Sequence, residues 1–324
     1  MRNWAPSVLA AIAIGAGAPA RGDMAGSTVA ADGSGQFKSV QEAVNDAPQT
    51  CSASSPWTIR VLPGTYHELV YVQREKRFVR LVGSDPSRTT ISYDLRASMP
   101  GGDGKPIGTF RTPTLWIDAD DFEVDGITIE NSAGAVGQAL ALRVDGDRVS
   151  FRGCRFLGWQ DTILADRGRQ YFGRCAIQGA VDFIFGGATA LFDRCDITCS
   201  GKGYITAAST PEGQEFGFVF SGCSISGVPG IQTYLGRPWR PYASVIFLNT
   251  QMSGVVHPAG WNNWSKPERE KTSRFAEFGS TGAGANAAAR APWARTLTAA
   301  EAAAITPRRV LSAADGWSPQ MPAD

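Results

Sequence analysis

Two aspartates and two glutamines recur at matched intervals in the middle of this chain. Gln138 and Gln160 are 22 positions apart, and Asp161 and Asp182 are 21 apart. Paired carboxylates suit acid–base or nucleophilic work. Like charges at short range push their pKa values apart, so one group stays ionised while the other holds a proton. Asp182 sits in an apolar run, between Val181 and Phe183-Ile-Phe185, which desolvates it. A buried ion there needs a partner, and Arg237 in Tyr234-Leu-Gly-Arg-Pro-Trp239 is the candidate. Two glutamine amides beside the pair can donate hydrogen bonds to a developing oxyanion. Taken singly, each of these residues is more often structural, a rung of a polar ladder or half of a salt bridge. The shared spacing of all four is what points to a site.

Other hydrolytic devices find little support. No G-x-S-x-G occurs, so a nucleophile elbow has no seat. His67-Glu68 opens like H-E-x-x-H, but position 71 is Tyr. The second of the two histidines, His257, lies in Val-Val-His-Pro without triad context. Near the polar clusters, Trp159, Tyr171, Phe185, Trp239, Trp261 and Trp264 could line a groove. Aromatic faces beside Arg or Lys suit a sugar chain that bears carboxylates. Phe151, Phe172, Phe192, Phe220 and Phe247 read instead as core residues.

The elements that must position these groups form a repeat. Residues 149–158, 170–179, 190–199, 218–227 and 245–254 share one pattern, with a degenerate copy at 122–131. Aligned on the centre they carry Ile127, Cys154, Cys175, Cys195, Cys223 and Thr250, spaced 20 to 28 residues apart. Each unit alternates apolar and polar residues around a turn, which is strand chemistry. Such units cannot bury an apolar face alone, so they stack around one shared core. A leucine-rich horseshoe lacks its leucine spacing here. The pattern predicts an all-β chain, a right-handed parallel β-helix (β-solenoid) with short capping helices. Residues one coil apart then stack at about 4.8 Å, which brings Asp161 to Asp182 and Gln138 to Gln160. Thr58–Leu62 and Phe78–Val82 are expected strands; Ser39–Ala47 is expected to be a helix capping the N-terminal end. Thr298-Ala-Ala-Glu301 reads as a capping box, and Gly279–Ala291 as a flexible connection.

Composition agrees with an exported β protein. Net charge is +1 over 324 residues, with no bias towards nucleic acid, and Gly is abundant at 37. Residues 1–20 read as a signal peptide: Arg2, an apolar run over Val8–Ala18, then Ala18-Pro-Ala20. No other stretch approaches a membrane span. Residues 21–324 are expected to form a single catalytic domain, secreted or periplasmic. Six cysteines fit an oxidising compartment, and none forms a C-x-x-C pair.

On these residues the chain resembles the pectin methylesterase (pectinesterase) family. The most specific pieces are Gly158-Trp-Gln-Asp-Thr162, Val181-Asp-Phe-Ile-Phe-Gly186 and Leu235-Gly-Arg-Pro-Trp239. Val29-Ala-Ala-Asp-Gly-Ser-Gly-Gln-Phe37, Leu62-Pro-Gly-Thr-Tyr66, Ile127-Thr-Ile-Glu-Asn-Ser132, Gln138-Ala-Leu-Ala-Leu142, Pro258-Ala-Gly-Trp-Asn262 and Phe275-Ala-Glu-Phe278 extend it. The resemblance implies hydrolysis of methyl esters on pectin (methylated homogalacturonan) with release of methanol. It implies Asp182 as nucleophile through an acyl-enzyme anhydride, Asp161 as general acid and then base, and Gln138 and Gln160 on the oxyanion. Arg237 would hold the nucleophile. Trp239, Thr109, Trp261, Tyr171 and Phe185 are the candidate substrate contacts. It further implies a Cys175–Cys195 disulfide. A monomer is expected, with no metal, no cofactor, and no nucleic-acid or membrane partner. Trp159 stands where the family usually has Tyr, and Ile163-Leu164 where it has Leu-Tyr. The long inhibitory pro-region of many plant members is not expected. Competing readings are a pectate lyase or polygalacturonase on the same fold class, or a relative acting on other esters.

Overall fold

The computed structural model describes Met1 and residues 25–319. The expected signal peptide, residues 1–20, lies outside the described residues apart from Met1. The chain winds as a right-handed parallel β-helix, the hand that parallel strand crossovers take. One 11-stranded sheet runs from Gly26–Val29 to Arg295–Thr296, and a 13-stranded sheet forms the other walls. The strands pair in parallel with their coil neighbours throughout, as in Val149–Arg152 with Arg169–Gly173. Two long strands, Ala176–Gly186 and Asp196–Ala208, belong to both wings of the 13-stranded sheet and carry the chain from one wall to the next. The expected strands appear as Trp57–Val61 and Val79–Gly83.

The repeat maps onto this winding coil by coil. Phe151, Phe172, Phe192, Phe220 and Phe247 are fully buried and stack face to face. Their ring centroids are 4.7, 4.6, 4.5 and 4.4 Å apart, close to the strand spacing. Each such contact contributes roughly 0.5–1.5 kcal/mol beyond burial itself. One corner of each coil is turned by a left-handed residue just before the ladder position: Arg174 (φ 51°), Arg194 (φ 52°) and Asn249 (φ 49°) precede Cys175, Cys195 and Thr250.

The N-terminal end is closed as the pattern predicts. The helix Val40–Asp46 buries Val40, Ala43 and Val44 and is capped by Ser39. Glu68 accepts from its first amides, Val40 N–H at 2.7 Å and Gln41 N–H at 2.9 Å. The Lys76 ammonium donates to the last carbonyls, Asn45 O and Ala47 O, at 2.7 and 2.6 Å. Opposite charges thus sit at the two ends of the helix dipole. The capping box at Thr298 opens the helix Ala299–Ala304. That helix and Pro307–Leu311 bring Leu297, Val310 and Leu311 against the outer face of the 11-stranded sheet. The segment 279–291 is tied down rather than a loose connection. Its backbone bonds to Thr250 and Met252, and Arg290 donates to Glu277, Gly284 O and Pro258 O.

The expected Cys175–Cys195 disulfide is absent, and all six cysteines are free thiols. The stacked thiols are spent on backbone carbonyls of the coil below. Cys154 donates to Val124 O at 3.3 Å, Cys175 to Phe151 O at 3.7 Å, Cys195 to Phe172 O at 3.2 Å and Cys223 to Phe192 O at 3.3 Å. A bridge would break this ladder to bring two sulfurs to about 2.05 Å. Burial pushes the Cys175, Cys195 and Cys223 thiols well above their ordinary range and Cys199 up to about 12. They are therefore poor nucleophiles. Thermal unfolding should give the same Tm with and without dithiothreitol. A drop of several degrees on reduction would restore the bridge.

Candidate active site

The second corner of the coil, where the two wings of the 13-stranded sheet meet, carries the polar cluster. Gln138 pairs in parallel with Gln160, and Gln160 with Val181. The Asp161 amide donates to Val181 O at 3.0 Å, so Asp161 lies one coil below the Val181-Asp182 step. Both aspartates are left-handed, Asp161 at φ 65° and Asp182 at φ 50°. Side chains other than Gly, Asn and Asp rarely adopt this conformation. Around Asp182 the strand pairing slips between Gly179 and Val181 and again between Val181 and Ile184. Bulges of this kind re-aim a side chain that simple alternation would otherwise fix.

These residues line one cleft of about 380 Å³ with Thr109, Phe110, Phe185, Ala207, Arg237, Trp239 and Trp264. Its floor is an outward apolar cluster of Leu140, Leu164, Phe185 and Ala207, roofed in part by Trp239 and Trp264. Arg237 grips Asp182 through two bonds, Nε to Oδ1 at 2.9 Å and Nη2 to Oδ2 at 2.6 Å. The guanidinium is itself clamped between rings, 3.8 Å from the Tyr204 centroid and 3.6 Å from that of Trp264. Asp161 has no side-chain hydrogen-bond partner among the described residues, and neither do the Gln138 and Gln160 amides.

The two carboxyls therefore differ. Burial, and next the neighbouring Asp182 charge, push Asp161 up to about 8, against a smaller pull from Arg237. Burial also raises Asp182, but Arg237 draws it back, so Asp182 ionises first. Two acids over one cleft thus differ in acidity, and the one held by Arg237 gives up its proton before the other.

Of the sequence-derived substrate contacts, Thr109, Phe185 and Trp239 line the cleft. Phe185 is only 4% exposed, with the Trp239 ring packed edge-on at 5.7 Å. Tyr171 and Trp261 are corrections. Tyr171 is fully buried on the outer face of the 11-stranded sheet, under the C-terminal helices, and its hydroxyl donates to Asp193 at 2.7 Å. Trp261 is 2% exposed in the solenoid core, against Phe247 and Phe275, with its indole N–H on Glu277 at 3.0 Å. Trp159 does not line the cleft either; its ring lies against Gly201. Sequence reasoning missed Phe110 and Tyr204. Phe110 follows Thr109 in a loop without pattern. Tyr204 was discoverable, because it stacks one coil below Tyr234 in the Arg237 strand.

Comparison with known proteins fixes the family. A family model described as Pectinesterase matches residues 26–314. The chain belongs to the pectinesterase family. Pectinesterase 31 of Arabidopsis thaliana is 40% identical over 283 residues, covering 85% of this chain and 88% of that protein. Among solved structures, the carrot pectin methylesterase superposes with a TM-score of 0.82 at 33% identity, covering 88% of this chain and 92% of its own. The pectin methylesterase PemA from Erwinia chrysanthemi gives 0.77 at 31% identity, covering 92% and 98%. A pectin methylesterase solved in complex with a hexasaccharide gives 0.77 at 31%, covering 91% and 98%. Pectinesterases are carboxylic ester hydrolases, and this chain is an enzyme of that class.

The raised Asp161 has a consequence for stability. Its folded pKa, about 8, lies above the ordinary 3.8. Between those values the folded protein holds more protons than the unfolded chain, so this contribution is full below the unfolded pKa and is lost as pH rises through the folded one. Asn keeps the neutral form and tolerates the left-handed backbone. Asp161→Asn should therefore raise Tm at pH 8 and leave it nearly unchanged at pH 4. Equal Tm differences at both pH values would contradict the neutral Asp161.

Proposed function

We propose that this pectinesterase hydrolyses methyl esters of homogalacturonan, with Asp182 as nucleophile and Asp161 as general acid and base. The observation that carries this reading is the split between the two acids: one carboxylate gripped by Arg237, one carboxyl pushed up to about 8, on adjacent coils of one cleft. The ionised Asp182 attacks the ester carbonyl carbon. A C–O bond forms to its carboxylate, and negative charge develops on the carbonyl oxygen. The uncommitted amides of Gln138 and Gln160 stand on the same wall and can donate to that oxygen. Collapse breaks the bond to the methoxy group, and Asp161 delivers its proton to the leaving methanol.

The product is a mixed anhydride with Asp182. Asp161, now ionised, takes a proton from a water that attacks the galacturonyl carbon. Asp182 leaves as a carboxylate and returns to Arg237. Each turnover consumes one water and yields methanol and a galacturonic acid. The ring clamp on Arg237 keeps the guanidinium in place while its partner changes charge. Breaking a buried ion pair by removing one partner costs about 3–5 kcal/mol, which is why Asp182 can stay charged here only with Arg237 beside it.

The hexasaccharide complex of a relative supports a sugar chain as the occupant of this cleft. Methylated pectin is thus the proposed substrate and partner, and the proposed place of action is outside the cytoplasm.

Asp182→Asn should reduce methanol release from methylated pectin by at least about a thousandfold, with a lowered Tm from the unpaired Arg237 but a wild-type circular dichroism spectrum at the assay temperature. Turnover at the wild-type rate in this variant would remove Asp182 from the mechanism. In the wild type, kcat/KM should fall at alkaline pH with an apparent pKa near 8, because the free enzyme then loses the Asp161 proton. Asp161→Asn should abolish that limb along with most of the activity. No step uses a metal, so EDTA should leave methanol release unchanged. Loss with EDTA, together with absorbance from unsaturated products, would favour a lyase.

A further inference from the structure

The outward row that floors the cleft does not stop there. Strand register runs Phe185, Leu164, Arg143, Trp116, Tyr71 across successive coils of one wall. Trp116 is three strand steps from Phe185, about 14 Å. At this far end the side chains are organised rather than loose. The Tyr71 and Trp116 rings pack at 5.0 Å, and the Arg143 guanidinium covers the Trp116 face at 4.2 Å. The Trp116 indole N–H is shared between Asp118 at 2.9 Å and Asp145 at 2.7 Å. The Tyr71 hydroxyl donates to Asp118 at 2.8 Å, and Arg143 Nε to Asp145 at 2.8 Å.

The Trp116 indole is thus fixed by two carboxylates and the Tyr71 hydroxyl by one, while Tyr71 is 38% exposed. Beside the rings lies a polar pocket of about 250 Å³ lined by Arg74, Asp118, Asp120, Asp145 and Arg167. Asp145, which lines this pocket, is 7% exposed, and its Oδ1 is buried without a hydrogen-bond partner. Guanidiniums alternating with carboxylates beside ring faces match sugar hydroxyls and a uronate carboxyl. The ridge is joined to the cleft. Arg143 Nη1 donates to Phe110 O at 3.0 Å, and the half-exposed Phe110 ring lies 6.4 Å from Trp239.

We infer that Tyr71, Trp116 and Arg143 form a distal subsite for a uronic-acid unit of the same polymer, several units from the ester being cleaved. The inference rests on the reading of the cleft as a pectin site. It makes this ridge a determinant of chain-length preference. Fixing the rings in advance removes the ordering cost of binding.

The test compares kcat/KM for methanol release on methylated galacturonate oligomers of increasing length, for wild type, Tyr71→Ala and Trp116→Ala. The wild type should gain about tenfold between short and long oligomers, and both variants should lose most of that gain through KM. A length gain that persists in both variants, or a loss that is equal at all lengths, overturns the subsite. Calorimetric binding of a long unmethylated oligogalacturonide provides a readout free of turnover. Kd should rise about tenfold in Tyr71→Ala, and an unchanged Kd overturns the subsite as well. If the wild type binds this ligand but releases no methanol from the methylated oligomers, the esterase reading fails while the subsite stands.

Discussion

Backbone groups in a parallel solenoid find partners only if each coil repeats the path of the one below. Between the end strands, the N–H and C=O groups of the walls bond to neighbouring coils at about 4.8 Å. That constraint propagates to the side chains, since residues in register must tolerate identical neighbours above and below. The phenylalanine stack and the thiol ladder are its direct expression. So is the candidate active site: two acids that are 21 residues apart in the chain become neighbours because one coil takes about that many residues to close.

The same constraint explains why the acids sit at a corner. Along a flat wall, outward residues are solvated and inward ones are packed in hydrocarbon. Neither setting gives a carboxyl that is desolvated yet reachable. At the corner, the left-handed turns at Asp161 and Asp182 break alternation and hold both groups 6–8% exposed at the edge of a cleft. Partial burial raises both pKa values, and Arg237 then differentiates them by binding only one. The energetic cost of burying charge is therefore the source of the proposed chemistry.

The thiol ladder marks a limit of reasoning from resemblance. Cys175 and Cys195 do stack on adjacent coils, as the repeat requires. Stacking alone does not form a bridge, because each sulfur has a carbonyl acceptor beneath it and the ladder extends to Cys154 and Cys223 without pairing. The charged network on the other side of the molecule has a comparable structural role. Arg169 binds Asp147 and Asp315 together and fastens the C-terminal segment to the outer wall.

By itself the sequence determined the winding, the phase of each coil and the four polar residues of the cleft. Those features repeat with a fixed period, and a period is readable without coordinates. It also determined the cap at Ser39 and the box at Thr298, which are local in the chain. Alternation tells which side chains leave a wall, but not what later covers them. Tyr171 points outward like a groove residue, yet the helices near 299–311 close over it. Trp261 was equally illegible, because only the packed core shows it seated between Phe247 and Phe275. Phe110 and the seat of Trp264 on Arg237 needed the tertiary structure too, since loops bring together residues whose separations follow no period.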